Sequence, residues 1–229
     1  MGAIPGIRRI ASALYIRMML KKTDTRPTVL LTGFGPFPGV PANASAEVVR
    51  RVVRRARRTF PELRFVAAVL PTEWRRAPRL VAALHERYRP VLALHFGVAS
   101  ETRSIRLETQ AENVCRASPD AAGMLPTEAS LCPDGPAKRH VTLDISALAE
   151  ALEAGGWPCS ISNDAGGYLC NAVLYKSLAS ADGRCAVGFV HIPADLSGPP
   201  LGREETVAAA LTIIEVALGK ADTTAAPSA

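Results

Sequence analysis

Short apolar runs alternate with helix-period stripes along most of this 229-residue chain, and that alternation limits the folds open to it. Thr28–Thr32 is a compact β-branched run, Leu63–Leu70 and Val91–Val98 read as further strands, and Cys159–Asn163 and Val187–Pro193 follow late in the chain. Between them, Val49, Val52, Val53 and Ala56 fall at helical spacing, as do Ala77, Leu80, Val81, Leu84 and Tyr88. Asn43 is a good N-cap for the first of these helices, and Pro61 stops it. Asp144–Ala154 reads as a helix closed by Gly155-Gly156. Arg203–Leu218 carries a last stripe of Val207, Ala210, Leu211, Ile214 and Leu218. The pattern predicts a three-layer α/β/α sandwich around a mainly parallel, mixed central sheet, folded as a single domain over residues 28–220.

Two segments stand outside that pattern. From Glu101 to His140 proline, glycine and small polar residues dominate, so the stretch reads as long loops or a hairpin excursion, with Ser104–Thr109 extended. Residues 112–140 are candidates for a lid. Residues 1–27 place Ile7, Ile10, Ala11, Leu14 and Met18 on one face among basic residues, with no acidic residue before Asp24. That suits an organelle-targeting segment or a translated upstream stretch, and the reading is a disordered basic extension outside the core. The small, polar residues 221–229 read as a flexible tail.

One turn concentrates the chemistry. Ser162-Asn-Asp-Ala-Gly-Gly-Tyr-Leu-Cys170 ends a strand and delivers a cysteine to the first turn of a helix. A thiol there feels the positive end of the helix dipole, which favours thiolate. The following strand ends at His191, a candidate base for Cys170. A third group commonly orients such an imidazole. Glu108 is the leading candidate, with Glu73, Glu101, Glu112, Asp164 and Asp195 in competition. Gly33-Phe-Gly-Pro-Phe-Pro-Gly39 is a rigid loop at the end of the first strand. Phe34 and Phe37 are hard to bury together in so constrained a loop, so they either anchor it or wall a small apolar pocket. His95 lies in an apolar strand and reads as a core histidine, whereas His85 and His140 have no informative context.

Composition removes other classes. The net charge of +6 gathers around Arg50, Arg51, Arg54, Arg55, Arg57 and Arg58, which read as the solvated face of an amphipathic helix rather than a nucleic-acid surface. No apolar run approaches the roughly 18 residues that span a bilayer. The five cysteines form no CxxC pair, so neither a zinc site nor any other metal is expected. Unpaired cysteines without an evident secretory signal point to a reducing cytoplasm.

Together these pieces resemble pyroglutamyl peptidase type I, the pyrrolidone-carboxylate peptidases. The resemblance rests on Leu30-Leu-Thr-Gly-Phe-Gly-Pro-Phe37, Asn43, Val69-Leu-Pro71, Gly97, Leu107-Glu108, Ala111, Asn113 and Pro119-Asp120. It continues through Ser162, Ala165-Gly166, Leu169-Cys170-Asn171 and Gly188-Phe-Val-His-Ile-Pro193. It implies a cysteine exopeptidase that removes N-terminal pyroglutamate, with Cys170, His191 and Glu108 as its triad and no cofactor. It implies that Phe34 and Phe37 face the lactam ring with Tyr168 and Leu169 nearby, and that an arginine such as Arg116 helps around the oxyanion. It also implies small N-terminally blocked peptides as substrates and a homodimer or homotetramer.

The chain departs from the family pattern in places. Thr109 follows Glu108 where an arginine is usual, and Arg116 is displaced within Cys115-Arg-Ala-Ser-Pro-Asp120. Ala194 stands where a tyrosine is usual, and Ala44 where a proline is. These changes motivate two alternatives: an amidase of another lactam or N-capped substrate, and a non-catalytic protein that keeps the ligand pocket.

Overall fold

A computed structural model describes residues 24–37 and 39–224. The basic segment before Asp24 and the last five residues lie outside them, so the extension and most of the tail expected from the sequence are not part of the described fold.

Six strands form the main sheet in the order β2-β1-β3-β8-β4-β7. They are β1 (Thr28–Phe34), β2 (Arg64–Leu70), β3 (Leu92–Ala99), β4 (Ile105–Glu108), β7 (Cys159–Ser162) and β8 (Ala186–Pro193). The first three and β8 run parallel, while β4 is antiparallel to β8 and parallel to β7. The sheet is therefore mixed, with its antiparallel step between β8 and β4. A separate hairpin, β5 (Gln110–Glu112) and β6 (Lys138–His140), occupies the segment read as loops or an excursion. No helix among the described residues is long and apolar enough to cross a membrane.

Alternation along the strands assigns the helices to layers. Val29, Leu31, Leu92, Leu94, Val190 and Ile192 project to one face. There they meet α1 (Ala44–Thr59), α3 (Ile145–Ala154) and α5 (Arg203–Thr224). Leu30, Phe34, Ala93 and Phe189 project to the other face, against α2 (Arg76–Tyr88) and α4 (Leu169–Ser180). Each large aliphatic side chain taken out of water in this way contributes about 1.5–3 kcal/mol. The arginines of α1 stay largely in solvent, but Arg51 pairs with Glu47 and with Glu204 of α5, both at 2.9 Å.

Two boundaries differ from the sequence expectation. Strand β1 runs on through Gly33 and Phe34, which the sequence placed in the following loop. The backbone of α1 crosses Gly33 so closely that a Cβ there would stand 2.6 Å from the Ser45 carbonyl oxygen. Ser45 Oγ then accepts a bond from the Phe34 N–H at 2.9 Å and holds the strand straight. At the other end α5 continues past Leu218 to Thr224.

Candidate active site

The site forms at the C-terminal ends of β3 and β8, where the parallel strands point toward the start of α4. A tight turn carries the chain from β7 into that helix. Ser162 Oγ accepts from the Asp164 N–H at 3.2 Å, and Asp164 Oδ1 accepts from the Gly166 N–H at 2.8 Å. Gly166 has φ of 77°, a left-handed conformation that favours glycine. Cys170 is the second residue of α4, and no side chain caps this helix end. First-turn N–H groups without an intrahelical partner are thus left beside the thiol.

Across the gap lies Gly97 of β3. A Cβ built on it would stand 2.9 Å from Cys170 Sγ, so the missing side chain is what admits the sulfur to the sheet surface. The register of β3 and β8 sets His191 beside Gly97. His191 is 6 % exposed, lies beside the residue that seats the Cys170 sulfur, and shares its Nδ1 with Glu108 Oε1 at 2.8 Å. Glu108 ends β4 and is fully buried, and its Oε2 has no partner among the described residues. Burial alone would push the His191 pKa down. The charge and hydrogen bond of Cys170, with the hydrogen bond and charge of Glu108, outweigh it and raise the value to about 9.

The antiparallel step in the sheet is what brings Glu108 here. It sets Glu108 opposite Phe189, two residues from His191 on the same face. The competing carboxylates are engaged elsewhere or lie away from the ring. Glu73 pairs with Arg76, Glu112 with Lys138, and Asp195 Oδ1 accepts from the Ser197 N–H. Asp164 stays in its turn, and Glu101 is exposed.

Cys170, His191 and Glu108 thus come together at one point of the sheet, and comparison with known proteins places the chain in a family. Residues 27–218 match the family described as Pyroglutamyl peptidase. A pyrrolidone-carboxylate peptidase of Enterobacter sp. (strain 638) is 34% identical over 194 residues, covering 81% of this chain and 89% of that protein. One from Chromobacterium violaceum is 37% identical over 173 residues, covering 72% and 77%. The crystal structure of Bacillus amyloliquefaciens pyroglutamyl peptidase I superposes with a TM-score of 0.76 at 27% identity, covering 85% of this chain and 98% of that one. The pyrrolidone carboxyl peptidase of Thermococcus litoralis gives 0.78 at 27% identity, covering 86% and 96%.

The chain belongs to the pyroglutamyl peptidase family.

In this family member the other residues singled out by sequence fall at different depths. Phe34 is 2 % exposed and packs within 6.4 Å of Phe189, whose ring lies 4.8 Å from His191. Phe37 is half-buried, 6.3 Å from Tyr168, and Trp74 meets Tyr168 edge-on at 5.2 Å. Phe37, Tyr168 and Trp74 thus form one aromatic cluster, while Phe34 lies in the core behind Phe189. Leu169 is buried in that core. The Arg116 N–H donates to the Gly167 carbonyl at 2.6 Å, which stitches this segment to the cysteine turn, and the Arg116 side chain is exposed.

Several residues do work here that sequence reasoning did not give them. Asn171, fully buried, accepts from the Glu112 N–H at 2.8 Å and donates to the carbonyls of Glu112 and Val114. It ties the segment after β5 to the helix that carries Cys170. Asp120 accepts from the N–H groups of Trp74, Ala122 and Met124. Burial pushes the Asp120 pKa up, and the three donors outweigh it and hold it low. Beneath the site, Thr32 Oγ1 bonds His95 Nδ1 at 2.7 Å, and His95 Nε2 and His85 Nε2 both bond Ser177 Oγ. Ser177 lies on α4, so this buried relay fixes the helix to the sheet and to α2. Asn171 beside Cys170 and Asp120 after Pro119 were the available signals, and neither carried information about its partners.

Proposed function

We propose that this chain is a cysteine exopeptidase that releases N-terminal pyroglutamate from peptides through a thioester. The observation that carries the reading is the His191–Glu108 bond at 2.8 Å beside Cys170, in a chain of this family. Glu108 accepts the Nδ1 hydrogen, which leaves Nε2 to serve Cys170. With His191 already holding the proton, Cys170 Sγ attacks the pyroglutamyl carbonyl carbon. N–H groups in the first turn of α4 hold the oxyanion, at about 3 kcal/mol per well-placed donor. The imidazolium gives its proton to the leaving amine as the C–N bond breaks. Water then attacks the thioester, His191 takes its proton, and the thiolate departs beside the imidazolium.

A lactam has no free amine, so its pocket needs flat apolar walls and a few hydrogen bonds rather than a carboxylate. Phe37 and Tyr168 offer such walls, with Phe34 supporting them through Phe189. Arg116 flanks the entrance by way of its bond to Gly167. The five free cysteines fit a cytoplasmic location, and assembly as a homodimer or homotetramer completes the proposal.

The deciding experiment is release of a fluorogenic amine from a pyroglutamyl amide by wild type and by Cys170→Ala. Turnover in the wild type should fall by at least about a thousandfold in the variant. Unchanged turnover in Cys170→Ala, or none in folded, reduced wild type, would overturn the reading.

A further inference from the structure

One row of the main sheet carries more than the proposed chemistry uses. Register sets Gly97 beside His191, His191 beside Arg106, and Arg106 beside Ser160. Residues directly paired across a sheet project to the same face. Arg106 therefore shares the α4 face with His191, level with it and one strand further from Cys170. Neighbouring strands lie about 5 Å apart, which is within easy reach of an arginine side chain. Glu108 sits one pair deeper, opposite Phe189.

Arg106 is half-buried, and its guanidinium has no ion pair or hydrogen bond among the described residues. Its nitrogens are not enclosed, so a ligand arriving from solvent can reach them. The cavity at Arg106 has a volume of ≈ 540 Å³, within the range of about 300–1,000 Å³ usual for small-ligand sites. It is lined by Arg106, Thr109, Ser160, Ile161, Ser162 and Asn163, with hydroxyl and amide groups but no carboxylate. An unpaired guanidinium above neutral hydrogen-bonding groups is suited to a carboxylate supplied from outside.

Strand order says which part of a substrate would supply it. The Phe34 end of β1 lies two strands from β8 on one side, and β4 lies next to β8 on the other. If the lactam sits on the aromatic side, as the proposed function has it, the leaving amine departs toward β4. We infer that Arg106 is a specificity-determining residue that binds a carboxylate on the leaving-group side of the scissile bond. That carboxylate is either the free terminus of a pyroglutamyl dipeptide or the side chain of an acidic second residue. The inference rests on the proposed function, since it assigns the half of the peptide that the pyroglutamyl pocket does not hold.

The test uses the full chain and two substrate pairs: pyroglutamyl-alanine against its amide, and pyroglutamyl-aspartate amide against pyroglutamyl-asparagine amide. Wild type should favour the carboxylate member of at least one pair by about tenfold in kcat/KM, mostly through KM. Added salt should shrink the preference. A preference in the first pair alone assigns the terminal carboxylate, and one in the second alone assigns the acidic side chain. Arg106→Gln should bring the ratio to about one, and Arg106→Lys should keep part of it. A wild-type ratio near one in both pairs, or a preference that survives Arg106→Gln, overturns the inference while turnover of the neutral members leaves the proposed function standing. A wild type inert toward all four substrates overturns both.

Discussion

Gly97 and Cys170 share one small volume: the space a Cβ on Gly97 would fill begins 2.9 Å from the Cys170 sulfur and equally close to Phe189 Cζ. The Cys170 sulfur rests on the sheet because β3 offers bare backbone there.

Gly97→Ala should therefore leave the fold in place and displace the thiol from His191. Overpacking of this kind costs about 1–3 kcal/mol. A misplacement on the order of 1 Å at a reacting atom lowers turnover by about a hundredfold. Thermal unfolding alongside pyroglutamyl amide hydrolysis checks both effects, and an alanine variant with full activity would refute the packing argument.

Glu108→Gln keeps the size of the side chain and removes its charge. His191 loses one of the contributions that raise its pKa, and the preferred tautomer is no longer enforced. Turnover should drop by about a hundredfold or more. The imidazole titration followed by NMR should move to lower pH. A titration that stays where it was would mean that Glu108 orients the ring without stabilising its charge.

The contributions of His95 and His191 to stability should together be greatest near pH 6.5, the ordinary histidine value in the unfolded chain. His95 is wholly buried, and burial first, then the charge of His85, pushes its pKa down to about 3. The unfolded chain takes up a proton between 6.5 and about 3 that folded His95 refuses, so this contribution is lost as pH falls through that window. His191 acts in the opposite sense. Its folded value of about 9 gives stability that is complete below 6.5 and lost as pH rises toward 9. Urea unfolding from about pH 4 to about pH 9.5 would trace both flanks. Cys170→Ala should flatten the alkaline flank, because it removes the two largest contributions raising His191. An unchanged alkaline flank in that variant would sink the assignment.

Asn171→Ala removes three bonds to the backbone of Glu112 and Val114. The buried groups left behind cost about 1–3 kcal/mol each where water does not reach them. Activity should fall together with protection of the Glu112 N–H against hydrogen exchange. Loss of activity with normal protection would point to a direct role for Asn171 in the chemistry.

Much of this was legible in the sequence because burial wrote it there. Strands β1, β3 and β8 are covered on both faces, so Leu30, Leu94 and Val190 lie in apolar runs that can be read directly. The cysteine turn was legible because its glycines and its place before an apolar helix are local features. Strand β4 was not, since Arg106 and Glu108 break its apolar pattern and its partner β8 lies far along the chain. For the same reason no local rule could separate Glu108 from Glu112 or Asp164, whereas the antiparallel register does so at once. Phe34 misled because Gly33 and Gly35 around it look like a loop. The reason Gly33 belongs to a strand is the α1 backbone lying over it, a contact between residues with nothing in common along the chain. His85 and Ser177 were unreadable alone, as each has meaning only through the other.

Helix α4 carries Cys170, Asn171 and Ser177 within two turns, so the Cys170 sulfur, the tie to the loop segment and the anchor in the core ride on one rigid body. The enzyme then has no independent hinge between its machinery and its framework. Denaturant should extinguish catalysis and tertiary structure at a single midpoint, and activity becomes a direct gauge of how much of the population is folded.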